Sequence, residues 1–192
     1  MKPNSALLTD AFSSLCCACG AAKRGRYAST LLYEGTRMEI NGIAHLQLTV
    51  NDLQRAMPFY ERVLGFMGMK LAAKAPNGLY MIGGRTAVGI TRSSEENRKY
   101  GFDQRRIGLH HICFRARSRQ DIDGLHAFLL EHEVKVVHPP EDGPWAPGYY
   151  SVLFEDPDGI RLEVNFVPGK GHLDYSGQLP LKTMPGYENY PA

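Results

Sequence analysis

The feature that most constrains this chain is an internal duplication. Setting His45 on His111 brings Leu46 onto Ile112, Leu48 onto Phe114, Ala56 onto Ile122, Phe59 onto Leu125 and Val63 onto Leu129. The matched apolar positions alternate where a strand is expected and recur at helical spacing where a helix is expected. Both copies therefore carry one local plan. A chain built this way is expected to fold as two similar units, each burying one sheet face under one helix.

The plan can be followed along the first copy. Ile43 to Val50 alternates as a half-buried strand does. Asn51 and Asp52 suit a helix N-cap, and Leu53, Ala56, Met57, Tyr60, Val63 and Leu64 form an apolar helical stripe that Gly65 is expected to end. Strands are expected at 66–74, 78–83 and 86–92, the last two joined through Gly83-Gly84. The polar run Ser93 to Arg106 reads as a solvated linker or a short exposed helix. The second copy follows with a strand from Leu109 to Ala116, a Ser118 cap, and a stripe of Ile122, Leu125, Phe128 and Leu129. Its remaining strands are expected near 133–138, 149–155 and 160–166, with Asp158-Gly159 turning the last pair.

The expected fold class is α+β, with two paired β-α-β-β-β modules forming a curved mixed sheet around a cleft, the usual seat of a small ligand. Residues 1–37 read as a poorly structured extension, 38–167 as the two-module domain (40–92, linker 93–107, 108–167), and 168–192 as a tail. Translation from Met38 is an alternative to the extension.

A formal net charge of +2 over 192 residues gives no reason to expect nucleic acid as a partner. Arg115, Arg117 and Arg119, at alternating spacing, are expected to share a solvated face. No apolar run is long enough to cross a bilayer, and Asp10 interrupts the short apolar stretch near the N-terminus, so neither a membrane partner nor a secretory signal is expected. Cys16, Cys17 and Cys19 lack a second ligand pair at zinc spacing. With Cys113 they read as free thiols, which favours a cytoplasmic location.

Chemistry concentrates in three residues. The duplication places His45 and His111 at equivalent strand starts, and Glu163 lies on the last strand of the second copy, on the face opposite Leu162 and Val164. Two imidazoles and one carboxylate form a ligand set for Fe(II) and similar ions, with positions left open for substrate. The plainer reading is a pair of half-exposed histidines and a solvent-facing glutamate. Tyr149, Tyr150, Trp145 and Arg92 are candidate substrate contacts, although a sheet tyrosine also serves packing and Trp145 can simply anchor its loop. His110 is expected on the sheet face opposite His111.

From about residue 40 to 167 the chain resembles the vicinal oxygen chelate superfamily, which includes glyoxalase I, extradiol dioxygenases, fosfomycin-resistance transferases, methylmalonyl-CoA epimerase and bleomycin-binding proteins. The resemblance is carried by His45-Leu-Gln-Leu-Thr-Val50, Phe59-Tyr60, Leu64-Gly65-Phe66, His111-Ile-Cys-Phe-Arg-Ala116 and Asp156-Pro-Asp-Gly-Ile-Arg-Leu-Glu163. It implies a glyoxalase-like fold, one divalent ion (Fe, Mn, Ni, Co or Zn) held by His45, His111 and Glu163, and a homodimer. It further implies a lyase, isomerase or dioxygenase acting on a small molecule that chelates the ion through vicinal oxygens. The alternative within the family is a metal-free ligand-binding protein of the bleomycin-resistance type. Two departures narrow this. Gly89 stands opposite Glu163, where glyoxalase I carries a second carboxylate. Leu153 stands where extradiol enzymes carry a tyrosine, and no histidine lies between His138 and that strand.

Overall fold

The computed structural model describes residues 40–169. The expected extension, with its three cysteines, and the tail beyond residue 169 lie outside the described residues. All the elements below belong to one compact unit that begins at Asn41.

The first half runs β1 (His45–Val50), α1 (Leu53–Phe66), β2 (Lys70–Ala75), β3 (Gly78–Gly83) and β4 (Thr86–Arg92). The second runs β5 (Ile112–Arg115), α2 (Arg119–Glu131), β6 (Val136–Asp142), β7 (Tyr150–Glu155) and β8 (Arg161–Phe166). The sheets have matching orders, β1-β4-β3-β2 and β5-β8-β7-β6. In each, the last strand lies parallel to the first and antiparallel to the third. Two four-stranded mixed sheets with one helix each are thus the α+β architecture the duplication implies. Between them, a single short 3-10 turn, Glu95–Asn97, interrupts an exposed linker.

The pattern residues explain the layers. Leu48 and Val50 are buried while His45, Gln47 and Thr49 stay exposed on the other face of β1. Helix α1 buries Leu53, Ala56, Tyr60, Val63 and Leu64, and α2 buries Ile122, Leu125 and Leu129. The N-caps are Asp52, whose side chain accepts from the Gln54 N–H, and Ser118, which accepts from the Asp121 N–H. Phe66 at the end of α1 stacks on Phe128 of α2, with ring centroids 4.1 Å apart.

Strand β2 opens at Lys70 rather than at 66 and β5 spans Ile112–Arg115 rather than 109–116; three further boundaries differ for local reasons. Helix α1 passes Gly65 and closes at Gly68, whose φ of +84° suits the left-handed position. There the Met69 N–H bonds the Leu64 carbonyl and the Gly68 N–H bonds the Gly65 carbonyl, the paired closure of a Schellman motif. The β3–β4 hairpin turns on Gly84 and Arg85, both at positive φ, rather than on Gly83-Gly84. Gly83 instead ends β3, where an added Cβ would lie 2.9 Å from Met69. Strand β6 continues through Pro139 and Pro140, expected to open a loop; it is an edge strand, and its register jumps between His138 and Glu141.

The Asp156-Pro-Asp-Gly turn joins the halves. The Asp156 carboxylate accepts from the N–H groups of Asp158 and Ile160 and, at 2.8 Å, from the Tyr60 hydroxyl of α1. Asp158 accepts from the Asn51 N–H at 2.6 Å. Burial pushes the Asp156 carboxyl up to about 6 from 3.8, against the lowering effect of its hydrogen-bond donors. Burial and the neighbouring Asp156 raise the Tyr60 phenol well above its usual value, so it remains a donor.

Two outcomes follow from these local structures. Helix α2 closes on the same motif as α1 but with Glu133 at φ +53°; Glu133→Gly should raise the unfolding free energy by about 1 kcal/mol, read as a higher urea midpoint at constant slope. Because the folded-state pKa of Asp156 is raised, its contribution to stability is present below about 3.8 and is lost as pH rises through about 6. Tyr60→Phe removes the donor that eases this loss. Its cost should be about 1 kcal/mol at pH 4.5 and about 2–3 kcal/mol at pH 8 in denaturant titrations.

Candidate metal centre

Strands β5 and β8 lie side by side with Cys113 opposite Glu163 and Arg115 opposite Asn165. On the other flank of β8, β7 sets Leu153 opposite Glu163 and Ser151 opposite Asn165. These residues share one sheet face, while Leu162 and Val164 point into the core. Arg115 belongs to this face, Arg117 lies in the following loop and Arg119 opens α2. The single arginine face expected from the sequence does not form, because the strand ends at Arg115.

Glu163 is 8% exposed. Its Oε2 lies 3.1 Å from Nε2 of His111, and its Oε1 accepts from the Tyr149 hydroxyl at 2.5 Å. Burial by itself would raise this carboxyl. The hydrogen bonds from His111, Tyr149 and Ser151 together outweigh it and hold the group below the ordinary carboxylate range. Glu163 is therefore an anion at neutral pH, with both oxygens oriented.

His110 and His111 precede β5, so strand alternation does not separate them, contrary to the sequence expectation. Their Nδ1 atoms are 2.8 Å apart. Burial, then the neighbouring His111 and Arg161, lower the pKa of His110, which favours a neutral ring with one nitrogen able to accept a hydrogen bond. The 3.1 Å contact to Glu163 is a hydrogen bond when His111 carries its proton on Nε2; with that proton on Nδ1, facing His110, Nε2 has a free lone pair for an ion instead. Cys113, packed beside Glu163 and Tyr149, has its thiol pushed up to about 12, by burial first and then by the Glu163 charge. It stays a protonated thiol at neutral pH. Sequence reasoning set His110 on the opposite face, read Cys113 only as a free thiol and did not single out Ser151; the tandem histidines and the two-residue step from His111 to Cys113 were the available signals.

His45 sits exposed at the start of β1, the edge strand of the other sheet. Among the described residues, no three His, Cys, Asp or Glu side chains group closely enough to hold an ion. The structure brings His111 and Glu163 together and leaves His45 apart. The duplication also shows what module one does in the equivalent place. Gly89 pairs with Gln47 as Glu163 pairs with Cys113. A Cβ on Gly89 would lie 2.2 Å from the Gln47 amide oxygen, so Gln47 covers the space a carboxylate would need.

The His111–Glu163 pair fits two adjacent ligands of one ion. Bonds of about 2.0–2.2 Å at angles between octahedral and tetrahedral place neighbouring ligand atoms about 2.9–3.5 Å apart, and the observed 3.1 Å lies in that range. An anionic oxygen and a neutral imidazole nitrogen also suit Zn, Fe, Mn, Co or Ni.

The remaining sequence candidates separate. Tyr149 is buried and its hydroxyl is committed to Glu163. Trp145 packs on Tyr149 with ring centroids 5.0 Å apart. Tyr150 lies on the opposite sheet face, its hydroxyl donating to Asp123 and the Arg119 guanidinium 3.7 Å from its ring centroid. Arg92 is exposed at the end of β4. Recesses of about 420 and 310 Å³ flank the linker around Phe102, and neither is lined by His111 or Glu163. None of the described helices is long and apolar enough to cross a membrane.

Comparison with known proteins gives the same fold. The profile of the Glyoxalase/Bleomycin resistance protein/Dioxygenase superfamily matches residues 42–164. Protein YqjT of Bacillus subtilis is 29% identical over 62% of this chain and 94% of its own length. A metallothiol transferase, FosB, of Shouchella clausii is 29% identical over 66% of this chain and 80% of its own. Among solved structures, a lactoylglutathione lyase from Agrobacterium tumefaciens superposes with a TM-score of 0.52 at 27% identity, covering 67% of this chain and 95% of that one. A candidate glyoxalase from Bacillus halodurans gives 0.60 at 25% identity over 66% and 96%. With the profile spanning both sheets and both helices, the chain belongs to the Glyoxalase/Bleomycin resistance protein/Dioxygenase superfamily.

Proposed function

We propose that this protein is a metal-dependent small-molecule enzyme whose ion is held by His111 and Glu163 of one chain and by His45 of the partner subunit. The observation that carries the reading is the oriented His111–Glu163 pair, a buried anionic carboxylate 3.1 Å from an imidazole nitrogen. A buried carboxylate with two committed donors is costly to keep as mere surface decoration; as half of a ligand set it is preorganised. Because His45 is exposed on an edge strand, it is free to meet the pair across a two-fold interface. A family relative named as a metallothiol transferase supports the metal assignment.

When bound, the ion supplies a Lewis acid that stabilises negative charge on vicinal oxygens of the substrate. The chain's own residues define the rest of that surface. Leu153, directly opposite Glu163 on β7, places an apolar side chain on the site face. This favours a lyase, isomerase or transferase over ring cleavage, for which an acid-base side chain at that point would be expected. His110 sets the His111 tautomer, and Arg115 lies one register step beyond, on the same face.

Complementation between variants tests the shared site. His45→Ala and Glu163→Gln homodimers should each lose most of their affinity for Co(II), measured by calorimetry on chelator-treated protein. Mixing them after subunit exchange should restore about a quarter of the wild-type stoichiometry, since half the dimers are mixed and each mixed dimer holds one intact site. No recovery, with both variants folded and dimeric, contradicts a site built across two chains. A wild-type protein that takes up no divalent ion contradicts the enzyme reading and favours a metal-free binding protein.

A further inference from the structure

We infer that Tyr149, carried by the loop 143–149 and braced by Trp145, is a positioning residue that presets Glu163 as a metal ligand. The inference rests on the metal reading above and assigns part of the site's affinity to groups outside the ligand set.

Glu163 has two oxygens with different partners. Oε2 faces His111, and Oε1 accepts from Tyr149 at 2.5 Å. A carboxylate on a long side chain can rotate about its last bond, and each orientation offers a different oxygen to an ion. Occupying Oε1 with a fixed donor removes that freedom and leaves Oε2 as the directed ligand atom.

Tyr149 is itself held from two sides. Its N–H bonds the Ala146 carbonyl and its carbonyl accepts from the Gly143 N–H, both at 3.0 Å, so the loop closes on itself. Its ring packs on Trp145, and the pair fills the space over Gly143, where an added Cβ would lie 2.2 Å from the Trp145 ring and 2.9 Å from the Tyr149 ring. Trp145 sets the Tyr149 ring, Tyr149 sets the Glu163 carboxylate, and Glu163 faces His111. The loop thus buttresses the ligand from beneath, which differs from a substrate lid.

The test compares wild type, Tyr149→Phe and Trp145→Ala as full-length protein, titrated with Co(II) and followed by calorimetry and visible absorption. Tyr149→Phe keeps the ring and loses only the hydroxyl. It should weaken Co(II) binding by about ten- to a hundredfold and shift the visible Co(II) bands, while the protein stays folded with a urea midpoint lowered only as far as the loss of one buried hydrogen bond requires. Trp145→Ala should give a smaller loss of the same kind. Equal Co(II) affinity and bands in wild type and Tyr149→Phe overturn the positioning role while the metal reading stands. Failure of wild type to bind Co(II) overturns both.

Discussion

One buried carboxylate holds this architecture in place. Asp156 accepts hydrogen bonds from two N–H groups of its own turn and from Tyr60 on the helix of the other module. It fixes where β8 begins and how module one leans on module two. Its neighbour Asp158 adds a bond to the Asn51 backbone at the end of β1. The Asp-Pro-Asp-Gly signature therefore works here as a structural staple that sets the strand on which Glu163 is carried. Its cost is a desolvated carboxyl whose pKa rises to about 6.

Duplication then explains why one sheet carries a carboxylate–imidazole pair and the other does not. Both first strands pair in parallel with their last strands, and both put a histidine at or just before the first strand's start. In module two, β8 brings a carboxylate next to the step after that histidine. In module one the same position is Gly89, filled by Gln47. Module two thus sets an anion beside an imidazole, while module one leaves an exposed imidazole at the start of β1.

Most of the fold could be read from the sequence because it depends on periodic burial. The stripe from Leu53 to Leu64, the caps at Asp52 and Ser118, and the alternation in β1 and β8 are local patterns that tertiary packing reinforces. The misplaced boundaries were decided by longer-range facts. Met69 leaves room only for a glycine at position 83 where β3 ends, and an edge position lets β6 keep its prolines. The site was legible only in part. The repeat matched His111 to His45 and alternation set Glu163 opposite Leu162 and Val164, but both His110 and His111 lie before the strand, where alternation says nothing about what they meet. That Tyr149 reaches Glu163 depends on how the loop 143–149 folds back, which no periodicity encodes. Tyr150, its sequence neighbour, shows the converse: one residue along the strand turns the ring to the helix side.

Anomalous X-ray diffraction from crystals grown with Co(II) tests the central claim most directly. The account predicts a single strong cobalt peak per chain within about 2.3 Å of His111 Nε2 and a Glu163 carboxylate oxygen, with His45 of the partner subunit completing the set. A peak bound to other side chains, or an ordered His111–Glu163 pair with no cobalt at saturating concentration, would contradict it.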